Sequence, residues 1–229
     1  MSNPGLVIFD LDGTLVDSAP DIARAVALTM REAGVAPPPL DAVRAMVGDG
    51  ARSLLARALA AAGANPDADA LMPRFLAHYT AGLCIESRLY PGVPELLDGL
   101  RASGVPAAVL TNKPGDLARD LLARLGLAAA FRAVIGDGDG FPRKPDPAAA
   151  RALLATAQLD PARAVVVGDG LPDVQVARAL GSPSVAVAWG YVPPERLRAA
   201  GAATVVSTTR ELARALGAAN ERGQPGQGG

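Results

Sequence analysis

The sequence predicts an α/β fold in which a parallel sheet forms the core and a small α-helical domain is inserted after the first strand. Short apolar runs alternate with helical segments from about residue 90 onward, a pattern typical of βαβ units. Residues 18–83 contain several helical segments and no credible strand. Two aspartates directly follow the first apolar run, at the position where open α/β sheets place their ligand sites.

The N-terminal part of the chain supplies the first strand and the helical insertion. Residues 5–9 form a short apolar run, which predicts a fully buried strand. Ser18 is suited to cap the next helix, and Pro20 fits the first turn of that helix. Apolar residues at helical spacing predict this helix up to Gly34. Further helices are predicted at residues 40–46, 51–62 and 71–83.

The remainder of the chain alternates between strands and helices. Helices are predicted at residues 95–102, 116–125, 147–158, 172–180, 194–200 and 210–217. Strands are predicted at residues 105–110, 132–135, 164–167 and 185–187, with an edge strand at 204–206. We therefore assign residues 1–17 and 88–219 to the sheet core and residues 18–87 to the helical insertion. Residues 220–229 are polar and rich in Gly and Gln, which predicts a disordered tail.

Composition excludes several classes of function. The 229 residues carry a net charge of −1, which gives no electrostatic basis for binding nucleic acid or an anionic membrane surface. No apolar stretch is long enough to cross a bilayer, and the N-terminus lacks a signal-peptide pattern. The single cysteine, Cys84, suits a reducing compartment and a packing role. We expect a cytoplasmic protein, either a monomer or a homodimer.

The segment around Asp10 and Asp12 carries the strongest chemical signal. Both carboxylates lie where the first strand ends, and Gly13 permits a sharp turn directly after them. An acidic pair in that position is costly unless a cation or a reaction requires it. The pair could therefore supply a hard-cation site with a nucleophile and a proton shuttle. An acidic surface turn and a calcium loop are alternatives, although Gly13 is misplaced for an EF-hand.

The run Asp10-Leu11-Asp12-Gly13-Thr14-Leu15-Val16-Asp17 resembles the first motif of the haloacid dehalogenase superfamily. The second Asp and the Thr resemble the phosphatase members of that superfamily. The resemblance implies a Rossmann-like catalytic core with a helical cap domain. It also implies that Asp10 is the nucleophile and that Asp12 is the acid and base. One Mg²⁺ would be held by Asp10, the backbone carbonyl of Asp12 and Asp169.

Three further motifs follow later strands in the expected order. Thr111-Asn112-Lys113 resembles the second motif, in which Thr111 would hydrogen-bond the phosphoryl group and Asn112 would also bind phosphate or substrate. Lys144-Pro145-Asp146-Pro147 resembles the third, in which Lys144 offsets the negative charge of Asp10 and the phosphoryl group. Alone, each could be a helix cap or a solvated lysine in a turn. Their joint occurrence at strand ends favours the functional interpretation.

The fourth motif is the segment from Val165 to Asp173. Asp169 would complete the metal site, and Asp173 would support that site without binding the metal directly. Relatives usually carry Ser or Thr where this chain has Gly170, and we expect this difference to remove a hydrogen bond but not the metal. Taken alone, Asp169 could also be a helix N-cap.

The finer resemblance is to the phosphoglycolate phosphatase branch. It is carried by Val16-Asp17-Ser18, Leu89-Tyr90-Pro91-Gly92-Val93, Thr111-Asn112-Lys113-Pro114 and Trp189-Gly190-Tyr191. The resemblance implies a small phosphorylated metabolite as substrate, with 2-phosphoglycolate as the first candidate and a phosphosugar as the alternative. A phosphomutase and a non-catalytic binding protein on the same fold are further alternatives. Family mutases usually have an acidic pair in the fourth motif, whereas this chain has Gly168-Asp169, which favours hydrolysis.

The helical insertion contains the candidate specificity residues. The loop Val47-Gly48-Asp49-Gly50 lies between two predicted helices, so Gly48, Asp49 and Gly50 are predicted to contact substrate. Asp49 stands where relatives often have Asn. An aspartate at this position would repel a substrate carboxylate but could accept hydrogen bonds from sugar hydroxyls. Arg44 and Arg52 are either anion contacts or solvated helix residues. We expect the lone histidine, His78, and the lone tryptophan, Trp189, to be packing or surface residues.

Overall fold

The computed structural model describes residues 3–64 and 67–218. The tail predicted to be disordered, residues 220–229, lies outside the described residues, as do residues 65–66 of a predicted loop. None of the described helices is both long and apolar enough to cross a membrane.

A six-stranded parallel sheet forms the core, which confirms the predicted fold class. The strands are β1 (Leu6–Phe9), β4 (Ala107–Pro114), β5 (Val134–Asp137), β6 (Ala164–Gly168), β7 (Ser184–Val187) and β8 (Thr204–Val206). Their order in the sheet is β5-β4-β1-β6-β7-β8, with β1 and β6 at the centre. Phe9 is level with Val109 on one side and with Val167 on the other. The residues that follow these three positions therefore emerge together at one edge of the sheet.

Helices cover both faces of the sheet. Six helices belong to this layer: α5 (Val93–Ala102), α6 (Gly115–Arg124), α7 (Ala148–Ala157), α8 (Leu171–Leu180), α9 (Pro194–Ala199) and α10 (Thr209–Ala215). Alternate residues of β1 enter two different apolar clusters, Val7 and Phe9 one of them and Leu6 and Ile8 the other. Burial on both faces explains why the strands are almost continuously apolar.

The helical insertion consists of four helices, α1 (Ala19–Glu32), α2 (Leu40–Arg44), α3 (Ala51–Ala61) and α4 (Ala68–Ala81). We call residues 18–87 the cap. Phe75 and Tyr79 of α4 are buried in the same apolar cluster as Val26 and Met30 of α1. The chain enters and leaves the cap through a short antiparallel ribbon, in which β2 (Val16–Asp17) pairs with β3 (Arg88–Leu89). Two-residue strands are too short to produce a periodic signal, so the sequence analysis missed this ribbon.

Three predicted details differ from the structure. Strand β4 continues to Pro114 instead of ending at 110, so Thr111 lies within the strand and not after it. Helix α4 begins at Ala68 instead of 71, because the Asp67 side chain accepts a hydrogen bond from the Asp69 backbone N–H. Ser18 occupies the N-cap position of α1 but makes no side-chain capping bond. Its hydroxyl instead donates to Asp12 Oδ1 at 2.5 Å.

Candidate active site

The candidate site lies at the edge of the sheet where β1, β4 and β6 end. Asp10 follows β1, Thr111 lies near the end of β4, and Asp169 follows β6. All three residues are almost fully buried, with 8%, 3% and 3% of their surface exposed, respectively. Burial of two carboxylates at one sheet edge requires compensating positive charge or hydrogen bonds.

Lys144 supplies positive charge beside Asp10. Its Nζ lies 2.7 Å from Asp10 Oδ1 and 2.7 Å from Asp173 Oδ1. Burial opposes the ammonium charge, but the carboxylates of Asp10 and Asp173 outweigh it and raise the pKa of Lys144 above its ordinary value. The lysine is therefore charged at neutral pH and holds Asp10 in a fixed position.

Asp169 is held by two donors from different parts of the core. Its Oδ1 accepts a hydrogen bond from Thr14 Oγ1 at 3.0 Å, and its Oδ2 accepts one from the Tyr191 backbone N–H at 2.7 Å. A Cβ atom at Gly13 or Gly190 would collide with this carboxylate. Glycine at these two positions therefore allows the backbone to approach Asp169 closely.

Asp10, Asp169 and Asp173 form an acidic cluster that fits a divalent cation. Each offers a carboxylate oxygen, and these oxygens lie within 4.8 Å of one another. Burial, together with the neighbouring carboxylates, raises the pKa of both Asp10 and Asp169. A cation would remove that repulsion, and oxygen ligands suit a hard divalent ion. Asp173 already binds Lys144 and accepts a bond from the Gly170 N–H at 3.0 Å, which suits the predicted supporting role.

Asp12 is oriented by a different set of partners. Besides the bond from Ser18, its carboxylate accepts bonds from Lys113 Nζ at 2.9 and 3.2 Å. The Lys113 side chain is 2% exposed, and its ammonium also donates to the hydroxyl of Tyr79 on the cap. The sequence analysis quoted Lys113 within a motif but assigned it no role. The signal that could have found it is a lysine directly after Thr111 and Asn112 in a motif that follows a buried strand.

Thr111 and Asn112 connect the end of β4 with the rest of the site. The Thr111 hydroxyl accepts a bond from the Lys113 backbone N–H at 3.2 Å. Asn112 Oδ1 accepts from the Lys144 N–H at 2.8 Å, and its Nδ2 donates to the carbonyl oxygens of Lys144 and Gly48. The bond to Gly48, at 2.9 Å, joins the core to the cap loop. Asn112 therefore lies at the junction between the core and the closed cap.

A cavity of about 40 Å³ lies between the core and the cap. A buried water needs roughly 10–15 Å³ of such space, so the cavity has room for only a small group while the cap lies in this position. We call its two sides the core wall and the cap wall. The core wall consists of Asp10, Asp12, Thr111, Asn112, Lys113 and Pro114. The cap wall consists of Ile22, Val47, Gly48, Gly50, Ala51, Leu54, Phe75 and Tyr79.

The structure brings Gly48 and Gly50 to this cavity but turns Asp49 away from it. The Asp49 carboxylate pairs with the guanidinium of Arg57, and its side chain is 44% exposed. Among the described residues that line the cavity, Asp49 is absent. The predicted contact between Asp49 and substrate therefore has no support in the geometry of the closed cap.

Four other candidate residues lie outside the two walls and have partners of their own. Arg44 donates to Asp17 Oδ2 at 3.0 Å, Arg52 pairs with Asp69 at 2.5 Å, and His78 Nε2 lies 2.8 Å from Glu32 Oε1. Trp189 Nε1 donates to the Thr14 carbonyl oxygen at 3.1 Å. These contacts agree with the packing and surface roles expected for His78 and Trp189, and they give the two arginines partners within the protein.

The sequence analysis also missed two tyrosines. The Tyr191 hydroxyl accepts bonds from the backbone N–H groups of Ser18 and Ala19 and donates to Asp17 Oδ1, where the chain enters the cap. Tyr79 lies at helical spacing among the apolar residues of α4, which resembles an ordinary core position. Tyr191 is part of the Trp189-Gly190-Tyr191 segment but was given no role, and Tyr79 carries no sequence signal that separates it from packing residues.

Comparison with known proteins gives close relatives over most of the chain. A phosphoglycolate phosphatase of Rhodospirillum rubrum is 45% identical over 195 residues, covering 82% of this chain and 81% of the relative. An N-acetylmuramic acid 6-phosphate phosphatase of Pseudomonas aeruginosa is 39% identical over 210 residues, covering 90% and 92%, respectively. These two names differ in substrate but share hydrolysis of a phosphate monoester.

A solved structure agrees with the fold. The crystal structure from Haemophilus somnus described as a predicted phosphoglycolate phosphatase matches with a TM-score of 0.87 and 28% identity. The match covers 94% of this chain and 99% of that one. Residues 4–181, which contain every strand-end motif described above, match the family of haloacid dehalogenase-like hydrolases. The chain belongs to the haloacid dehalogenase-like hydrolase family.

Proposed function

We propose that this protein is a magnesium-dependent phosphate monoester hydrolase that acts through an aspartyl-phosphate on Asp10, with 2-phosphoglycolate as the first candidate substrate. The observation that carries the proposal is the position of Asp10. Its carboxylate lines the cavity, lies 2.7 Å from the Lys144 ammonium and sits two residues from a second, separately held carboxylate. A nucleophile, an electrostatic partner and a proton carrier thus lie together.

The first step forms the intermediate. A carboxylate oxygen of Asp10 attacks phosphorus in line with the leaving alcohol, and the bond from phosphorus to the ester oxygen breaks. Asp12 gives its proton to the departing alkoxide, so the alcohol leaves neutral. The bonds from Ser18 and Lys113 fix the position of the Asp12 carboxyl group at the cavity, which orients it for proton exchange with a bound leaving group.

The second step releases phosphate. Asp12, now a carboxylate, removes a proton from water, and the water oxygen attacks phosphorus. The bond from phosphorus to the Asp10 oxygen breaks, which frees the Asp10 carboxylate and inorganic phosphate. Lys144 and the Thr111 hydroxyl offset the charge that the phosphoryl oxygens carry during both steps. When bound, Mg²⁺ would add positive charge that lets an anionic phosphate approach an anionic nucleophile. Its proposed ligands are the carboxylates of Asp10 and Asp169, which lie in the acidic cluster, and the Asp12 carbonyl. Asp173 would support them through its bonds with Lys144 and the Gly170 N–H.

The cap closes the site over the reacting group. Asn112 joins the core to Gly48 of the cap loop, and Tyr79 of α4 contacts Lys113. The apolar residues of the cap wall exclude bulk water, which strengthens the interaction of Lys144 with the phosphoryl group. Substrate entry and product release then require the cap to move away from the core wall.

The substrate assignment rests on the relatives and on the size of the cavity. Relatives named phosphoglycolate phosphatase suggest phosphoglycolate, and one named for N-acetylmuramic acid 6-phosphate suggests a phosphosugar. The small space of about 40 Å³ between the core wall and the cap wall is more readily filled by the smaller alcohol. Asp49 is the residue whose identity favoured a sugar. Its carboxylate pairs with Arg57 instead of lining the cavity.

A phosphate-release assay over a panel of small phosphate esters and phosphosugars tests this proposal. We expect phosphoglycolate to have the highest kcat/KM, with activity lost in EDTA and restored by Mg²⁺. A phosphosugar preferred by more than about tenfold, roughly 1.4 kcal/mol in transition-state binding, would overturn the substrate assignment. Isomerised product without phosphate release would indicate a mutase, and no turnover of any ester would indicate a binding protein.

A further inference from the structure

The cap wall contains one buried hydroxyl whose hydrogen has no acceptor. Tyr79 is 3% exposed and lines the cavity. Its oxygen accepts a hydrogen bond from the Lys113 ammonium, so the hydrogen of the hydroxyl remains available. None of the described residues accepts a bond from it. A buried donor without an acceptor is costly, and a ligand in the cavity can remove that cost.

The surroundings of Tyr79 select the kind of ligand group that would bind. Its ring stacks against Phe75 at 5.8 Å between centroids, and Leu54 and Ile22 form the neighbouring apolar surface. Lys113 Nζ lies 4.6 Å from the centre of the Tyr79 ring, and its donation to the oxygen polarises the O–H bond. The strongest match for a polarised donor with a cation behind it is an anionic oxygen acceptor.

Thr111 offers a second hydroxyl of the same kind on the core wall. Its oxygen accepts a bond from the Lys113 N–H, and its own hydrogen has no acceptor in residues 3–64 or 67–218. The cavity thus presents one available hydroxyl beside Asp10 and another on the cap. A ligand with an anionic group at each end would satisfy both.

We propose that the Tyr79 hydroxyl, backed by the Lys113 ammonium, binds the carboxylate of the leaving alcohol, so that the enzyme selects phosphorylated hydroxy acids over phosphate monoesters of uncharged alcohols. This inference rests on the proposed function, because it places the phosphoryl group of the same substrate at Asp10. Tyr79 therefore acts as a specificity residue that reaches the substrate only while the cap lies against the core. Lys113 links this subsite to Asp12.

The substitution Tyr79→Phe tests the proposal, because it removes the hydroxyl and keeps the stacked ring. We compare kcat/KM for 2-phosphoglycolate with that for isobutyl phosphate, in which a branched alkyl group replaces the carboxylate. The ratio of the two should fall by about tenfold or more, mainly through a higher KM for phosphoglycolate. Both substrates are measured on one preparation, so a smaller folded fraction cancels in the ratio.

Tyr90→Phe is the matched control, because Tyr90 lies outside the described lining of the cavity and packs 6.3 Å from Trp189. Its ratio should equal that of the wild type. An equal loss on both substrates in Tyr79→Phe, or no loss, would overturn the inference while leaving the proposed function intact. A wild-type enzyme that prefers isobutyl phosphate would instead overturn the proposed substrate, and the carboxylate subsite with it.

Inhibition of the wild type gives a second test that requires no variant. The phosphonate analogue 3-phosphonopropionate keeps the carboxylate of phosphoglycolate, whereas 3-methylbutylphosphonate replaces it with an alkyl group. We expect the carboxylate analogue to bind about tenfold more tightly or better. Equal inhibition constants would contradict a carboxylate subsite even if Tyr79→Phe did not fold.

Discussion

The two sides of the cavity differ in the side chains that they present. On the core side, charged side chains are buried and bonded to other groups of the core, whereas the cap side presents mainly apolar side chains. Asp10, Lys144 and Asp169 are held by fixed donors and acceptors of the core itself. The polar atoms of the cap wall that meet the core are the Gly48 carbonyl and the Tyr79 hydroxyl. The difference suggests that the core performs the reaction and that the cap selects the substrate.

The largest expected effect is on the core side. Asp10→Asn should reduce turnover by at least roughly a thousandfold, because an amide does not attack phosphorus. Asp98→Asn is the matched control, since that carboxylate is 70% exposed on α5, and it should retain wild-type turnover. Steady-state kinetics and circular dichroism check both variants. A folded Asp10→Asn enzyme with more than trace activity would show that Asp10 is not the nucleophile.

The second effect separates proton transfer from phosphoryl transfer. Asp12→Asn should slow alkyl phosphate hydrolysis by about a hundredfold or more, because the poor leaving group needs a proton. Nitrophenyl phosphate, which leaves as a stable anion, should lose much less activity. The measurement is kcat/KM for both esters. Equal losses on the two substrates would count against Asp12 as the acid.

The third effect concerns the acidic cluster. Asp169→Ala should raise the Mg²⁺ concentration needed for half-maximal activity by about tenfold or more, because it removes one of the proposed ligands. Asp41→Ala, at a carboxylate that is 94% exposed, should leave that concentration unchanged. An Mg²⁺ titration of each variant after EDTA treatment checks this. An unchanged titration in Asp169→Ala would place the metal elsewhere.

A smaller effect should appear in stability at the base of the cap. Asp21 on α1 is fully buried and accepts bonds from the backbone and side chain of Ser87 and from the Glu86 N–H. Burial opposes its charge, but the bonds from Ser87 and Glu86 lower the pKa of Asp21 below its ordinary value of 3.8. Asp21→Asn should therefore cost about 1–3 kcal/mol of unfolding free energy at neutral pH.

The pH dependence gives the sign of that effect. A carboxylate whose pKa is lower in the folded state stabilises the fold above its ordinary pKa, and this stabilisation is lost as the pH falls through the folded value. Urea unfolding should show a larger difference between wild type and Asp21→Asn at pH 7 than near pH 3. Asp98→Asn, which breaks an exposed ion pair with Arg101, should change stability little at either pH. A pH-independent difference for Asp21→Asn would contradict this account.

The smallest effect is expected at Asp49. Its carboxylate pairs with Arg57 at a half-exposed position, so Asp49→Asn should change kcat/KM on phosphoglycolate and on phosphosugars by less than about threefold. Kinetics on both substrate classes check this. A large change confined to one substrate class would show that the Asp49 carboxylate does contribute to substrate recognition.

The core was accessible from sequence because parallel strands align their carboxyl ends. Polar residues that interrupt apolar runs at Asp10, Thr111 and Asp169 could therefore be placed together without coordinates. The predicted strands overlap all six strands of the sheet, although β4 runs four residues further than expected. That extension was missed because polar residues ordinarily indicate a strand end, whereas here the site buries them.

The cap contacts were not accessible in the same way. Tyr79 meets Lys113 only when α4 folds onto the core, and helical periodicity gives Tyr79 the same signature as a packing residue. The position of Asp49 likewise depends on the turn from α2 to α3 and on its pairing with Arg57. Sequence patterns predict which helices form, but they do not predict which side chains of the cap helices contact the core.

Chemical trapping of the intermediate tests the central claim most directly. The enzyme is quenched during turnover of phosphoglycolate with Mg²⁺ and treated with borohydride, which reduces an aspartyl-phosphate to homoserine, and the peptides are analysed by mass spectrometry. We predict homoserine at position 10, and none at that position when substrate is omitted or in Asp10→Asn. Rapid turnover with position 10 unmodified, or with the label on another aspartate, would contradict the account.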